Sequence, residues 1–197
     1  MDKLSYALGL SMGHNFKGTG VKTLNIEDFA AGLRAVYEGA EMQMTFAEAK
    51  QVVTDYFTRL EEGAADKNAR LGKEFLEQNA RQDGVNVTPS GLQYMVVKEG
   101  TGVRPGKDDS VTVHYTGKLI DGTVFDSSEE RGEPATFGVT QVIPGWVEAL
   151  QLMKEGAKWR LFIPSALAYG PQGAGGLIGP NQTLIFDVQL IKVISRG

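Results

Sequence analysis

A chain of 197 residues with 42% hydrophobic content can bury one ordinary core and carry an extension, so two domains are expected. The formal charge of −4, with no run of Lys and Arg gathered on one face, argues against a phosphate-tracking surface, and no nucleic-acid partner is expected. The lack of cysteine excludes disulfides and thiolate metal sites, and the two histidines, His14 and His114, lie far apart in sequence, so neither a metal nor a cofactor is expected.

The segment Met1-Asp2-Lys3-Leu4-Ser5-Tyr6 has no charged n-region followed by an apolar run. It reads as neither a signal peptide nor a membrane span. Cytoplasm is the expected location, with the periplasm as the alternative if an export signal has been removed ahead of Met1.

Residues 2 to 82 read as helical. Leu4, Leu8 and Met12 recur at helical spacing until Gly18-Thr19-Gly20 breaks the pattern. A second helix starts at the N-cap Asn25, carries Phe29, Leu33 and Val36 on one face, and stops near Gly39. Thr45 and Glu48 form a capping box, and no proline follows until Pro89, which predicts one helix from about Phe46 to Arg81, roughly 54 Å long at 1.5 Å per residue. Its first half has an apolar face in Val52, Val53, Tyr56, Phe57 and Leu60. From Glu61 onward charged and small residues dominate, as in a solvated strut, and Gly63 and Gly72 weaken the helix by about 1 kcal/mol each relative to Ala. Two short amphipathic helices and half of a long one make a poor independent core, so a second copy is expected to complete it.

Asp83-Gly84 ends the helix, which divides the chain into a helical arm, 1–83, and a strand-rich domain, 84–197. Val111, Val113 and Tyr115 alternate with polar residues, and Asp121-Gly122 is a hairpin signal leading into Val124-Phe125-Asp126. Pro144 opens a helix carrying Trp146, Leu150 and Met153, closed by Gly156. Trp159, Leu161 and Ile163 alternate in the next strand, and Leu184, Phe186, Val188 and Leu190 in the last. The fold class is α+β: an antiparallel sheet wrapped on a short helix, preceded by an all-α arm with one long helix. Gly173-Ala174-Gly175-Gly176 is followed by neither Lys-Ser nor Lys-Thr, so it is not a phosphate loop.

Five segments, VHYTG, VFDSS, VIPGW, LAYG and LIFDV, supply aromatic and branched side chains for a concave apolar site with one obvious charge, Asp126. A single Tyr or Phe in a strand is usually only core. Their order and spacing carry the signal: these motifs resemble those of the FKBP-type peptidyl-prolyl cis-trans isomerases, without a gap from about Gly91 to Val193. The N-terminal half resembles the helical dimerisation arm of the bacterial subgroup that includes macrophage-infectivity-potentiator-like proteins.

The resemblance implies a site with Trp146 as its floor. Tyr115, Phe125, Phe137, Val142, Ile143 and Phe186 would form the walls, the Ile143 amide and Tyr169 hydroxyl would hold substrate carbonyls, and Leu177 and Ile178 would close over the ligand. Asp126 would lie near the twisting carbonyl or orient Tyr115 and Arg131. The implied partners are proline-containing unfolded or nascent polypeptides, macrolides of the FK506 and rapamycin type as inhibitors, and a second copy of the chain. The implied function is prolyl isomerisation in protein folding with chaperone-like client binding, the alternative being a non-catalytic holdase. Ala135, Ala174 and Gly179 stand where relatives often have Phe, His and Pro.

Overall fold

The structure, a computed structural model, describes residues 1–195. By its contacts the chain forms two compact units, Met1–Leu60 and Glu61–Gly197.

The first unit holds α1 (Lys3–Gly18), α2 (Ile26–Tyr37) and the start of α3 (Phe46–Asn79). Each begins on a side-chain cap. Asp2 accepts from Ser5 N–H at 2.7 Å, and Asn25 Oδ1 accepts from Glu27 N–H at 3.0 Å. The Thr45–Glu48 box is reciprocal: Thr45 N–H donates to Glu48 at 2.8 Å, and Glu48 N–H donates to Thr45 Oγ1 at 3.2 Å. Phe16 meets Phe29 edge-on with ring centres 5.6 Å apart. Neither α1 nor α2 contains a buried residue, and Leu4, Ile26 and Phe46 are 68%, 64% and 70% exposed.

The second unit is built on an antiparallel sheet of β1 (Val85–Val87), β2 (Gln93–Lys98), β3 (Ser110–Leu119), β4 (Val124–Ser127), β5 (Ala135–Gly138), β6 (Lys158–Ile163) and β7 (Leu184–Ile194). The strand order is β1-β2-β6-β7-β3-β4, with β5 also pairing to β3. Alternation along β3 sends Val111, Val113, Tyr115 and Leu119 to the core face, and β7 adds Leu184, Phe186, Val188 and Leu190. Onto that face packs α5 (Pro144–Leu152), which buries Trp146, Ala149 and Leu150. It ends at Leu152, where Met153 N–H donates to Ala149 O, earlier than the expected stop at Gly156. One short helix, α4 (Ser128–Arg131), escaped the sequence reading.

The second half of α3 is not a solvated strut. Its more buried positions, Ala64, Ala65, Asn68, Leu71, Gly72, Phe75, Leu76 and Asn79, recur every three or four residues and form one stripe. Along this stripe Phe75 packs against Phe162, Asn79 donates to Gln93 at 2.8 Å, and Gln93 donates to Leu76 O at 2.9 Å. Sequence reasoning missed the stripe because it is made largely of Ala, Gly and Asn rather than large apolar residues. Contact therefore assigns residues 61–79 to the sheet unit, while the helix stop lies beyond them. The helix itself runs to Asn79, two residues short of the expected end.

Gly72 shows what this docking requires. A Cβ there would lie 2.4 Å from Thr183 Oγ1. Thr183 is buried and β-branched, so it has little room to turn away. On a solvated helix Gly72→Ala should stabilise by about 1 kcal/mol. Against Thr183 it should instead cost about 1–3 kcal/mol, read as a fall in the melting temperature of the sheet unit.

Candidate active site

β3, β4, β7, the segment before α5 and the flap between β6 and β7 surround a cleft of about 590 Å³. Trp146, in the first turn of α5, packs beneath it at 4% exposure. The indole meets Tyr115 and Phe186 edge-on, both with centres 5.3 Å away, and Phe137 at 6.1 Å. Phe125 meets Phe186 in the same way at 5.5 Å. Such pairs contribute about 0.5–1.5 kcal/mol each beyond area burial. Gly117 makes the last of these possible, since a Cβ there would lie 2.6 Å from both the Phe125 and Phe186 rings.

Tyr115, Phe125, Asp126, Phe137, Val142, Ile143 and Trp146 line the cleft, joined by Phe186 from β7. The flap contributes Tyr169, Leu177 and Ile178. Among the residues given a site role from sequence, Arg131 does not line it. Gln141 and Gly175 line it without having been named. Gln141 stands directly before Val142-Ile143, but as a polar residue it reads as surface in the sequence. Ala174 lies in the lining, whereas Ala135 packs against the core from β5 and is outside the lining. In the flap, Ala174 N–H donates to Ile178 O at 2.8 Å and Ile178 N–H donates back at 3.0 Å, a small hairpin with Leu177 exposed.

The charged group is tied off. Tyr115 OH donates to Asp126 Oδ2 at 2.5 Å, Arg131 Nη1 pairs with Asp126 Oδ1, and Arg131 Nη2 donates to Tyr115 OH at 3.0 Å. α4 makes this triangle possible by returning Arg131 toward β4: Ser127 caps its start by accepting Glu130 N–H, and left-handed Gly132 ends it. Fully buried Ser128 accepts Tyr115 N–H at 2.8 Å and lies 3.1 Å from His114 Nδ1. That contact ties His114 to the hydrogen bonds that join β3 to α4.

Burial disfavours the Asp126 carboxylate, but hydrogen bonds from Tyr115 and Arg131, with the guanidinium charge, outweigh it and hold the carboxyl below its ordinary value. Burial, then the hydrogen bond to Asp126, push the Tyr115 hydroxyl above its ordinary value. Arg131 is raised as well, through its bonds to both. Asp126 is therefore committed to two donors.

The sequence pattern of the FKBP-type peptidyl-prolyl cis-trans isomerases matches residues 102–191, and that of the domain amino-terminal to such isomerases matches residues 1–96. The outer membrane protein MIP of Legionella longbeachae is 49% identical over 98% of this chain and 85% of its own length. An FKBP-type 22 kDa peptidyl-prolyl cis-trans isomerase of Escherichia coli is 45% identical over 96% of this chain and 94% of its own. The crystal structure of FkpA from Escherichia coli superposes with a TM-score of 0.79 at 36% identity, covering 99% of this chain and 97% of that one. The chain belongs to the FKBP-type peptidyl-prolyl cis-trans isomerases and carries the domain amino-terminal to such isomerases.

The pH behaviour of the site follows from these shifts. A carboxyl whose folded pKa is depressed contributes stability that is complete above its unfolded value, about 3.9, and is lost as pH falls through the folded value. A phenol raised in the fold stays neutral past about pH 10. The Asp126–Tyr115–Arg131 triangle thus keeps one charge state from about pH 5 to 9, and peptide isomerisation should be flat between pH 6 and 8. Asp126→Asn should lower kcat/KM roughly tenfold without bending that profile. A bell-shaped profile, or an inactive but folded Asp126→Asn protein, would make Asp126 a direct participant.

Proposed function

We propose that this isomerase works by desolvation in its apolar cleft. A prolyl bond rotates over a barrier of about 18–20 kcal/mol because twisting removes amide resonance. Bringing exchange from tens of seconds to milliseconds needs a factor of about 10⁴, or roughly 5–6 kcal/mol. The planar amide is more charge-separated than the twisted one, so stripping water from its carbonyl penalises the ground state more than the transition state. The observation that carries this reading is the cleft itself: its aromatic lining converges on one place, and its charge is already satisfied.

In this reading the proline ring sits over Trp146, between Tyr115, Phe125, Phe137, Val142 and Phe186. The Ile143 amide and Tyr169 hydroxyl donate to substrate carbonyls, Leu177 and Ile178 cover the chain, and Asp126 with Arg131 fixes the Tyr115 ring. Phe186→Ala, which opens the wall to water, should lower kcat/KM by at least tenfold on a short proline peptide while the protein stays folded by circular dichroism. A variant with unchanged kcat/KM would remove desolvation as the cause. The same cleft is the expected seat of FK506- and rapamycin-type macrolides, whose pipecolyl ring resembles proline.

We read the first unit as a homodimerisation arm that presents clients to the catalytic unit. Its support is the exposed apolar surface, with Leu4, Leu8, Ile26, Val36 and Phe46 all more than half uncovered in a single copy. A fragment starting at Glu61 keeps the stripe of α3 that packs on the sheet. It should be monomeric by light scattering, retain activity on short peptides, and lose much of its effect on a proline-limited refolding protein. A fragment that stays dimeric, or matches the full chain on that refolding protein, contradicts this division of labour.

A further inference from the structure

We propose that α3 is a positioning element of the isomerase site, acting through Asn68 and Asn181 on the flap. The proposal rests on the reading above that Tyr169, Leu177 and Ile178 touch the substrate. Asn68 Nδ2 donates to Pro180 O at 2.8 Å, two residues beyond Ile178. Asn181 Nδ2 reaches back to Ala65 O at a longer 3.4 Å, while its own N–H donates to Gly170 O, beside Tyr169, at 2.9 Å. Gly72 then lets Thr183 approach the same helix face, one residue before β7 begins.

Residues 65, 68 and 72 are spaced three and four apart, so one face of one helix holds both substrate-facing parts of the flap: the Tyr169 turn through Asn181, and the Leu177–Ile178 hairpin through Pro180. Asn181 sits at φ 54°, a left-handed conformation that asparagine adopts more readily than most residues. The flap is made of short turns with four glycines between 170 and 176, and beyond its own Ala174–Ile178 hairpin it is tied to α3 by one side-chain bond from Asn68 and one from Asn181. Holding the flap in place lowers what substrate binding must spend on ordering it.

The test uses the full-length chain. Asn68→Asp keeps the side-chain shape but cannot donate to Pro180 O, and Asn181→Gly keeps the left-handed backbone while removing the side chain. Asn68→Gln retains a donor, and Arg70→Ala, on the exposed side of α3, is the control. Well below the melting temperature, Asn68→Asp should lower kcat/KM for a short proline peptide about three- to tenfold, mainly through a higher KM, because binding must now order the flap. Amide hydrogen exchange at Ala174 and Ile178 should quicken by a similar factor while that at Tyr115 stays unchanged, and Asn68→Gln should recover part of both effects. If Asn68→Asp fails to fold, Asn181→Gly carries the same readouts. Unchanged flap exchange, or an equal effect of Arg70→Ala, overturns the latch. Faster exchange with wild-type kinetics overturns its bearing on catalysis; if Leu177→Ala also keeps wild-type kinetics, the placement of the flap at the substrate fails instead.

Discussion

The edge-to-face packing of Trp146 against Tyr115, Phe137 and Phe186 holds the sheet unit and its site together. Rings set at 83° to 90° to the indole cannot slide into a stack, so they enclose a space instead of filling it. The same indole anchors α5 to the sheet, with Ala149, Leu150 and Met153 completing the contact at essentially no exposure. Floor of the cleft and keystone of the core are therefore one side chain. A dry site needs rigid apolar walls, and building them from core residues supplies that rigidity without extra elements.

The one charge at the cleft obeys the opposite demand. A carboxylate at a partly dry wall is tolerated when its lone pairs are engaged, and Tyr115 and Arg131 engage them. The triangle also fixes the Tyr115 ring, which belongs to the wall, so the polar cluster serves the apolar one. Gly117 extends the logic to the backbone: the strand carries no side chain where Phe125 and Phe186 must meet. Nucleophilic chemistry would need a group left free to react, and here the ionised one is occupied.

Much of this was legible in the sequence because the site lies on regular strands. Alternation in VHYTG and LIFDV places Tyr115 and Phe186 on one face, and Pro144 marks the helix that carries Trp146. The capping residues Asn25, Thr45 and Glu48 fixed two helix starts. What stayed hidden has physical reasons. α4 is four residues long, too short for any periodicity to show, although Ser127 and Gly132 are its cap signals. Gln141 is a polar neighbour of apolar wall residues and looks like surface. The docking stripe of α3 uses small residues and amides, so its hydrophobic pattern is weak although its spacing is regular.

One signal for that stripe was present on the sheet side. An antiparallel strand with a solvated back face alternates, yet β6 ends in Leu161-Phe162-Ile163, all three buried. Leu161 and Ile163 face the core with α5, so Phe162 must be covered from the opposite side, and Phe75 of α3 meets it there. The buried amide of Gln93 makes the same demand, because it needs partners that the sheet does not give it, and Asn79 and the Leu76 carbonyl provide them. Both faces of the sheet are thus committed, one to the cleft and the other to the helix. The flap that leads into β7 is where they meet, since its residues line the first and its far end is bonded to the second. A boundary drawn at the chain breakers would separate the sheet from the helix face that covers it, whereas one drawn by burial keeps them together.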